Sequence, residues 1–418
     1  MPRATPSDLA AFLHYGFLPR VPEGYRALPW ARVRAREVAG SGEREALVKR
    51  GLAALRAACA EPGPGLHVVP LSGGVDSRCL LAVLSEAGLG ERLVAATFGI
   101  PGTYDFDLAP AVARAAGVRH EAVDLARLPV TRAGLLAAAR RAPWCHAFEA
   151  FYNHQIPLRF GPEATYWSGI MANAIAGVDQ EEPASDWPTA QAAFAVRCRI
   201  ARNVVLTPPD FDPCALLPER PLLADSVLSY YEQLFAFLRY PCRLEPALLP
   251  AGFRFRTPFR QPAWVDFLLR APRALRRGQA LYHAIARRTS PALFALPAKN
   301  NLGLPLSAPA WRVGLRRARL KLERAHAARF PGRARRVNPK LNTIDFDRAL
   351  RAGGDVRQVV EESLQRLAER RVLAWLDPLA LLRRHLAGAA NLGEALALLA
   401  AVELNLTVEE EAVEGARA

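Results

Sequence analysis

Ser72, Gly73, Gly74, Asp76 and Ser77 bring two hydroxyls, a freely turning backbone and a carboxylate into one short segment. Adjacent glycines allow a sharp turn with main-chain N–H groups aimed inward. The two serines add hydroxyl donors, and the residues that follow open a helix whose N-terminus favours an anion. A Gly-Gly pair between a strand and a helix is by itself an ordinary turn; the serines and the aspartate at fixed offsets turn it into a phosphate cradle. Asp76 is out of place beside a phosphate unless Mg²⁺ lies between them, since Mg²⁺ shares its oxygen ligands between one or two carboxylates and the phosphates. The expected chemistry is cleavage of a nucleoside triphosphate with release of pyrophosphate. The loop is not a Walker A motif, because no Gly-Lys-Ser/Thr follows and no lysine succeeds Gly74.

Such a loop has to be held between an apolar strand and a helix, and the surrounding sequence supplies both. A strand is expected over Leu66 to Leu71 after the turn Pro62-Gly63-Pro64-Gly65, then a helix from Arg78 to Ala87 stopped by Gly88. Leu93 to Phe98 reads as a second buried strand, Asp107 to Gly117 as a helix, and Glu121 to Leu125 as a third strand. Helices near Thr131 to Arg141 and Trp144 to Pro157 precede a fourth strand, Thr165 to Ser168, ended by Gly169. His146, Glu149 and Tyr152 lie in the second of those helices, either as ordinary helix surface or lining a pocket. The βαβαβ order and apolar strands predict a parallel sheet covered on both faces, with ligand at the carboxyl ends of its strands.

Residues 1–40 are too few for a domain and read as a linker-like segment carrying a short helix near Leu9 to Tyr15. From Ser41 to about Ala60 an apolar stripe of Leu47, Leu52 and Leu55 predicts a helix. After about Ala201 the pattern is helical and punctuated by proline. The division expected is 1–40, an α/β domain over 41–207, and a mainly helical part over 208–418, with the boundary near Pro208-Pro209.

The chain has 418 residues, 51% of them hydrophobic, enough for a large core. No segment approaches the roughly 20 apolar residues of a membrane span, and no secretory signal is evident, so a cytoplasmic enzyme is the expectation. The 6 cysteines show no C-x-x-C spacing, which disfavours a structural zinc or redox pair. A formal charge of +15 suits a polyanionic partner, or a diffusely basic surface. Locally, Arg312, Arg316, Arg317, Arg319, Lys321, Arg324, Arg329, Arg333, Arg335, Arg336 and Lys340 meet only Glu323, on a helix stopped by Phe330-Pro331-Gly332. That pattern is either a solvated face or a docking patch.

Taken together, the phosphate loop, Thr97-Phe98-Gly99-Ile100, Asp107 with Ala109, Arg256-Thr257-Pro258-Phe259, Ala298-Lys299-Asn300-Asn301-Leu302-Gly303-Leu304-Pro305 and Leu398 to Leu404 resemble the synthetase domain of glutamine-dependent asparagine synthetases. The resemblance runs from about residue 8 to 408. It implies an α/β fold of the PP-loop, adenine-nucleotide α-hydrolase-like type followed by a mainly helical C-terminal region. It also implies a carbon–nitrogen ligase that adenylates a carboxylate with ATP and Mg²⁺ and lets an amine or ammonia displace AMP. Carried over by position, Leu71, Ile100, Ser168 and Gly169 would hold adenosine. Ser72, Gly73, Gly74, Asp76 and Ser77 would hold pyrophosphate and Mg²⁺, and Lys299 would neutralise the transition state. Asp76 and Asn173 would be the metal ligands.

This sequence departs from that pattern in two ways. It begins Met1-Pro2-Arg3 without a glutaminase domain, so nitrogen is expected as free ammonia, from a separate glutaminase, or from an amine. Where the family reads Ser-Gly-Glu-Gly-x-Asp-Glu, this chain reads Ser168-Gly169-Ile170-Met171-Ala172-Asn173; Ile170 cannot move protons and Asn173 offers only a neutral oxygen. The variant is similar to asparagine-synthase-related proteins, whose expected partner is a small-molecule or sugar carboxylate. A nucleotide-binding homologue without turnover is the alternative. Third is a tRNA-modifying PP-loop enzyme, disfavoured by the unpaired cysteines and the C-terminal resemblance.

Overall fold

A computed structural model describes residues 4–20, 41–178, 184–329 and 338–415. Most of the linker-like N-terminal segment and the stop at Phe330-Pro331-Gly332, with Arg333, Arg335 and Arg336, lie outside the described residues, as do the side chains of Arg324 and Arg329. Five strands form one all-parallel sheet: β1 (His67–Pro70), β2 (Leu93–Gly99), β3 (Arg119–Asp124), β4 (Thr165–Trp167) and β5 (Arg254–Arg256), in the order β3-β2-β1-β4-β5. The chain winds outward from β1 through β2 to β3, then crosses to the other side of β1 for β4. The reversal falls between β1 and β4, and in α/β sheets ligands bind outside the carboxyl ends of the strands at such a point.

Side-chain alternation explains why both sheet faces are covered. Val69, Ala95 and Trp167 join one core, and Val68, Ala96 and Tyr166 another. The helices include α1 (Pro6–Tyr15), α2 (Ser41–Ala58), α3 (Val75–Ser85), α4 (Tyr104–Ala115), α5 (Arg132–Arg141), α6 (Ala147–Asn153), α7 (Trp187–Cys198), α8 (Pro262–Arg270), α9 (Ala280–Thr289), α10 (Ala310–Arg329), α11 (Asp355–Arg370) and α12 (Gly393–Gly415). Helices α2, α3, α8 and α9 contact one another beside the core that contains Val69 and Trp264. The apolar centre of α12 from Leu396 to Val402 is fully buried among α5, α6, α11 and α1.

Several expectations are corrected here. β5 was not anticipated, and it comes from beyond residue 208, so the mainly helical part contributes an edge strand to the sheet. The cores also draw residues from both sides of Pro208-Pro209. The helix expected from Asp107 starts at Tyr104, because Thr103 is extended and Asp107 turns back to accept the Gly102 N–H at 3.0 Å. The helix expected over Trp144 to Pro157 is two, α6 and Gln155–Phe160, parted at His154. All 6 cysteines are free thiols. No helix among the described residues is long and apolar enough to cross a membrane.

Arg78 ties the two parts together. Its guanidinium is fully buried and donates to the carbonyls of Leu293 at 2.9 Å, Leu296 at 3.2 Å and Pro297 at 2.7 Å. The strand β6 (Pro297–Ala298), which precedes Lys299 and pairs with β7 (Leu304–Pro305), is thereby fixed against α3. Removing the guanidinium strands three buried acceptors. Arg78→Leu is expected to destabilise the protein by roughly 3 kcal/mol or more, read from urea unfolding midpoints; an unchanged midpoint would refute the staple.

A second stability test concerns buried imidazoles. His146 and His154 are 3% and 0% exposed, and burial pulls both pKa values down to about 4 from 6.5. Both are neutral in the fold and must be charged when the chain unfolds in acid. Their contribution is therefore complete above pH 6.5 and erodes as pH falls from 6.5 to about 4. The loss is on the order of 3 kcal/mol per histidine. Unfolding midpoints compared at neutral pH and near the lower limit would stay level if these rings were solvated.

Candidate active site

The phosphate loop follows directly from β1. Leu71 continues the ladder, donating its N–H to the Ala96 carbonyl at 2.7 Å and accepting the Thr97 hydroxyl at 2.7 Å. The chain then turns through Ser72, Gly73 and Gly74 into α3, whose N-cap Gly74 brings no side-chain cap. Nothing in the cap residue therefore satisfies the first-turn N–H groups of α3, which is the arrangement that takes up an anion.

Side-chain oxygens hold the loop's own amides. Ser72 N–H donates to Ser77 Oγ at 3.0 Å, Gly73 N–H to Asp105 Oδ1 at 3.1 Å, and Gly74 N–H to Ser72 Oγ at 3.2 Å, while the two serine hydroxyls bond each other at 3.1 Å. Both glycines of the expected loop lie where backbone approach is close, but unequally so. A Cβ on Gly73 would sit 2.5 Å from the Tyr104 carbonyl oxygen, whereas one on Gly74 would meet nothing nearer than the Ser72 hydroxyl at 3.3 Å.

Asp76 opens α3 with its carboxyl accepting the Tyr282 hydroxyl at 2.8 Å. The residue keeps some solvent contact at its edge, yet the carboxyl lies deep enough that burial pushes its pKa up to about 6, with the tyrosine bond opposing the rise. Across the switch point, Gly169 presses against this residue, its missing Cβ only 2.9 Å from the Cβ of Asp76. Ser168 bonds the Arg256 carbonyl through its N–H at 2.9 Å, so the β4 exit is anchored to β5. Asn173 Oδ1 accepts the Tyr240 hydroxyl. Ile170 is 5% exposed and belongs to the core. Its neighbour Met171 has φ +74°, an uncommon conformation for a residue with a side chain.

Lys299 reaches the loop from the C-terminal part. Its N–H donates to the Gly73 carbonyl at 2.8 Å, and its ammonium bonds Asp105 and Asn342. Leu71, Ser72, Asp105 and Asn342 line a cleft of about 630 Å³, closed on the far side by His146, Glu149, Arg239 and Arg243. Glu149 and Arg243 pair at 2.9 Å; burial opposes the carboxylate's charge, and Arg243, through its charge and its hydrogen bond, overcomes it to lower the pKa.

The structure thus gathers Ser72, Gly73, Gly74, Asp76, Ser77, Gly169 and Lys299 around one turn. Ile100 stands apart at the β2 exit, its carbonyl taken by Thr103 N–H and hydroxyl at 3.1 and 2.8 Å. His146 and Glu149 line the cleft, whereas Tyr152 is buried in a core. Sequence reading missed Asp105, Tyr240, Tyr282, Arg239, Arg243 and Asn342. Asp105 had the best signal, a second acid one turn-face away from the Asp107 that was singled out; the others depend on distant parts of the chain meeting.

Asp76 and Asn173 each offer a side-chain oxygen of the type Mg²⁺ takes, the first bonded to the Tyr282 hydroxyl and the second to that of Tyr240. A buried carboxyl hydrogen-bonded to a neutral hydroxyl, as Asp76 is to Tyr282, is stabilised by a cation. No group of three or more His, Cys, Asp or Glu side chains among the described residues is arranged to hold a metal by itself.

No protein-family model matches this chain, and no curated protein matches it significantly.

The unequal glycines give a direct test. Gly73→Ala forces main chain apart and is expected to cost about 1–3 kcal/mol, whereas Gly74→Ala should cost under about 1 kcal/mol. Equal effects in thermal unfolding would show that Gly73 is not wedged against Tyr104.

Proposed function

We propose that this chain is an ATP-dependent, AMP-forming ligase of PP-loop type, resembling the asparagine-synthase-related proteins, that adenylates a carboxylate and delivers it to an amine or ammonia. The observation that carries this reading is the bond between Lys299 N–H and the Gly73 carbonyl at 2.8 Å. Two motifs far apart in sequence, the phosphate loop and the Lys299 loop that the resemblance assigns to the same site, share a hydrogen bond at the carboxyl end of β1.

In this reading a carboxylate oxygen attacks the α-phosphorus of ATP, the α–β P–O bond breaks, and pyrophosphate leaves. The amine nitrogen then attacks the acyl carbon, AMP departs with the electron pair of the acyl C–O bond, and the nitrogen loses a proton. The loop N–H groups and the start of α3 hold the leaving pyrophosphate. The serine hydroxyls can rotate from each other onto phosphate oxygens. Lys299, carried on the β6–β7 hairpin, supplies a fixed positive charge beside the loop and stabilises charge that develops in both steps. Asp76 and Asn173 would hold Mg²⁺, which would supply positive charge to shield the phosphates. Glu149, Arg239 and Arg243 form the far wall against which the carboxylate substrate is positioned.

The test is phosphorus NMR of the protein with ATP, Mg²⁺, ammonium and a panel of carboxylates that includes aspartate. AMP and pyrophosphate are expected, and ADP would refute the reading. Lys299→Ala and Asp76→Asn should each lower turnover by about a hundredfold or more.

A second reading, nucleotide binding without turnover, is favoured by one feature: Asn173 stands in place of a carboxylate and its oxygen already accepts the Tyr240 hydroxyl. Cleavage that appears only in Asn173→Asp would select it.

A further inference from the structure

Helix α10 carries an apolar stripe that is exposed among the described residues. Trp311, Leu315 and Leu322 are 65%, 63% and 71% exposed, and Ala318 is exposed between them. Their spacing of four, three and four residues places all four on one line along a helix of about 3.6 residues per turn, over a length of roughly 16 Å. The opposite side faces the protein. Leu320 is 9% exposed, and Arg316 Nε donates to the Leu302 carbonyl at 3.3 Å.

Cations border the stripe on both sides. At about 100° per residue, Arg312 and Arg319 fall on one flank and Arg317 and Lys321 on the other. The Arg312 guanidinium lies 5.8 Å from the centre of the Trp311 ring, and Arg319 is paired with Glu323 at 2.9 Å. A charged helix face is ordinarily just solvated, but that account does not cover a continuous row of bare tryptophan and leucine between the charges.

We infer that this ridge seats the protein on an anionic lipid surface, with the Trp311–Leu315–Leu322 row in the headgroup boundary and the flanking arginines and lysine on lipid phosphates. An amphipathic helix with Trp and Leu on one line and cations beside it has the composition of an interfacial helix, and long basic side chains let their stems follow the apolar surface while the charge stays in the headgroups. The row is a convex ridge rather than a groove, which suits a surface that yields. A second copy of the chain laid on the stripe would set like-charged flanks together. Nucleic acid would engage the cations and gain little from the leucines.

The experiment uses the whole protein in flotation with vesicles of phosphatidylcholine containing about one third phosphatidylglycerol, beside vesicles of phosphatidylcholine alone. Binding to the anionic vesicles is expected, at least about tenfold weaker to the neutral ones and weakened by salt. The triple variant W311S/L315S/L322S should lose about tenfold or more. R317E/K321E, which leaves the stripe intact, should also lose binding. All five positions are exposed, so both variants should keep the parent's melting midpoint. Absence of binding to anionic vesicles would overturn the inference. So would undiminished binding by the triple variant, or a dimer in sedimentation that the triple variant abolishes. Salt-sensitive binding of RNA in place of vesicles, unaffected by W311S/L315S/L322S, would equally overturn it.

Discussion

Gly73 is the point through which three distant segments are held in register. Its carbonyl accepts the Lys299 amide at 2.8 Å, its N–H donates to Asp105 at 3.1 Å, and its bare α-carbon lets the Tyr104 carbonyl approach to where a Cβ would stand 2.5 Å away. Tyr104 extends the connection, its hydroxyl donating to the Leu302 carbonyl at 2.8 Å and its ring filling the space beside Gly303. One main-chain hydrogen bond contributes only about 1 kcal/mol. Its importance here is geometric: loop, α4 and the β6–β7 hairpin cannot shift independently.

Two buried arginines brace irregular stretches of chain, one of them directly before the same hairpin. Arg78 and Arg276 are both fully buried, and burial pulls the pKa of each down to about 10. Neither relies on a carboxylate as its hydrogen-bond partner. Arg276 donates to the carbonyls of Ala271, Ile175 and Val227, as Arg78 does to the segment before Lys299. A planar donor fork satisfies carbonyls that irregular chain segments leave without partners. Part of the chain's positive charge therefore lies inside the fold, where the diffusely basic surface expected from composition did not put it. Helix α10 carries its own share of the exposed charge along the edges of an apolar line.

β1, β2 and β4 were legible because each is a short apolar run that follows a turn, whereas β3 showed only Ala122 and Val123 between polar residues. β5 was not, for a physical reason. Arg254 and Arg256 are exposed at the sheet edge and only Phe255 turns inward, so a strand of three residues presents one apolar position. The segment Phe235–Leu244 was equally hidden. It forms a π-helix containing Pro241. Proline has no N–H to give to the ordinary helical partner, and this wider coil brings Arg239, Tyr240 and Arg243 to the site. Within the site, glycines and serines announced themselves by spacing, whereas Tyr240 and Tyr282 matter only through where their hydroxyls end. Asp105 and Asp107 differ by two residues, and the helix start at Tyr104 decides which faces the loop and which caps the preceding turn.

Charge balance in the cleft links these parts. Arg197, Arg199, Arg202, Arg239, Arg243 and Lys340 line it against Asp105, Glu149 and Glu394. Asp105 is matched by Lys299 and Glu149 by Arg243. Arg239 has Nε buried without a hydrogen-bond partner, and burial lowers its pKa. A buried guanidinium short of acceptors is costly unless an anion joins it. At the other end, a phosphate entering the turn would find Asp105 already on the Gly73 amide, and two anions cannot share one donor without a cation between them. Lys299 touches that carboxylate and is attached through its own amide to the same glycine, so the charge needed to admit a phosphate is held by the bond that fixes the loop.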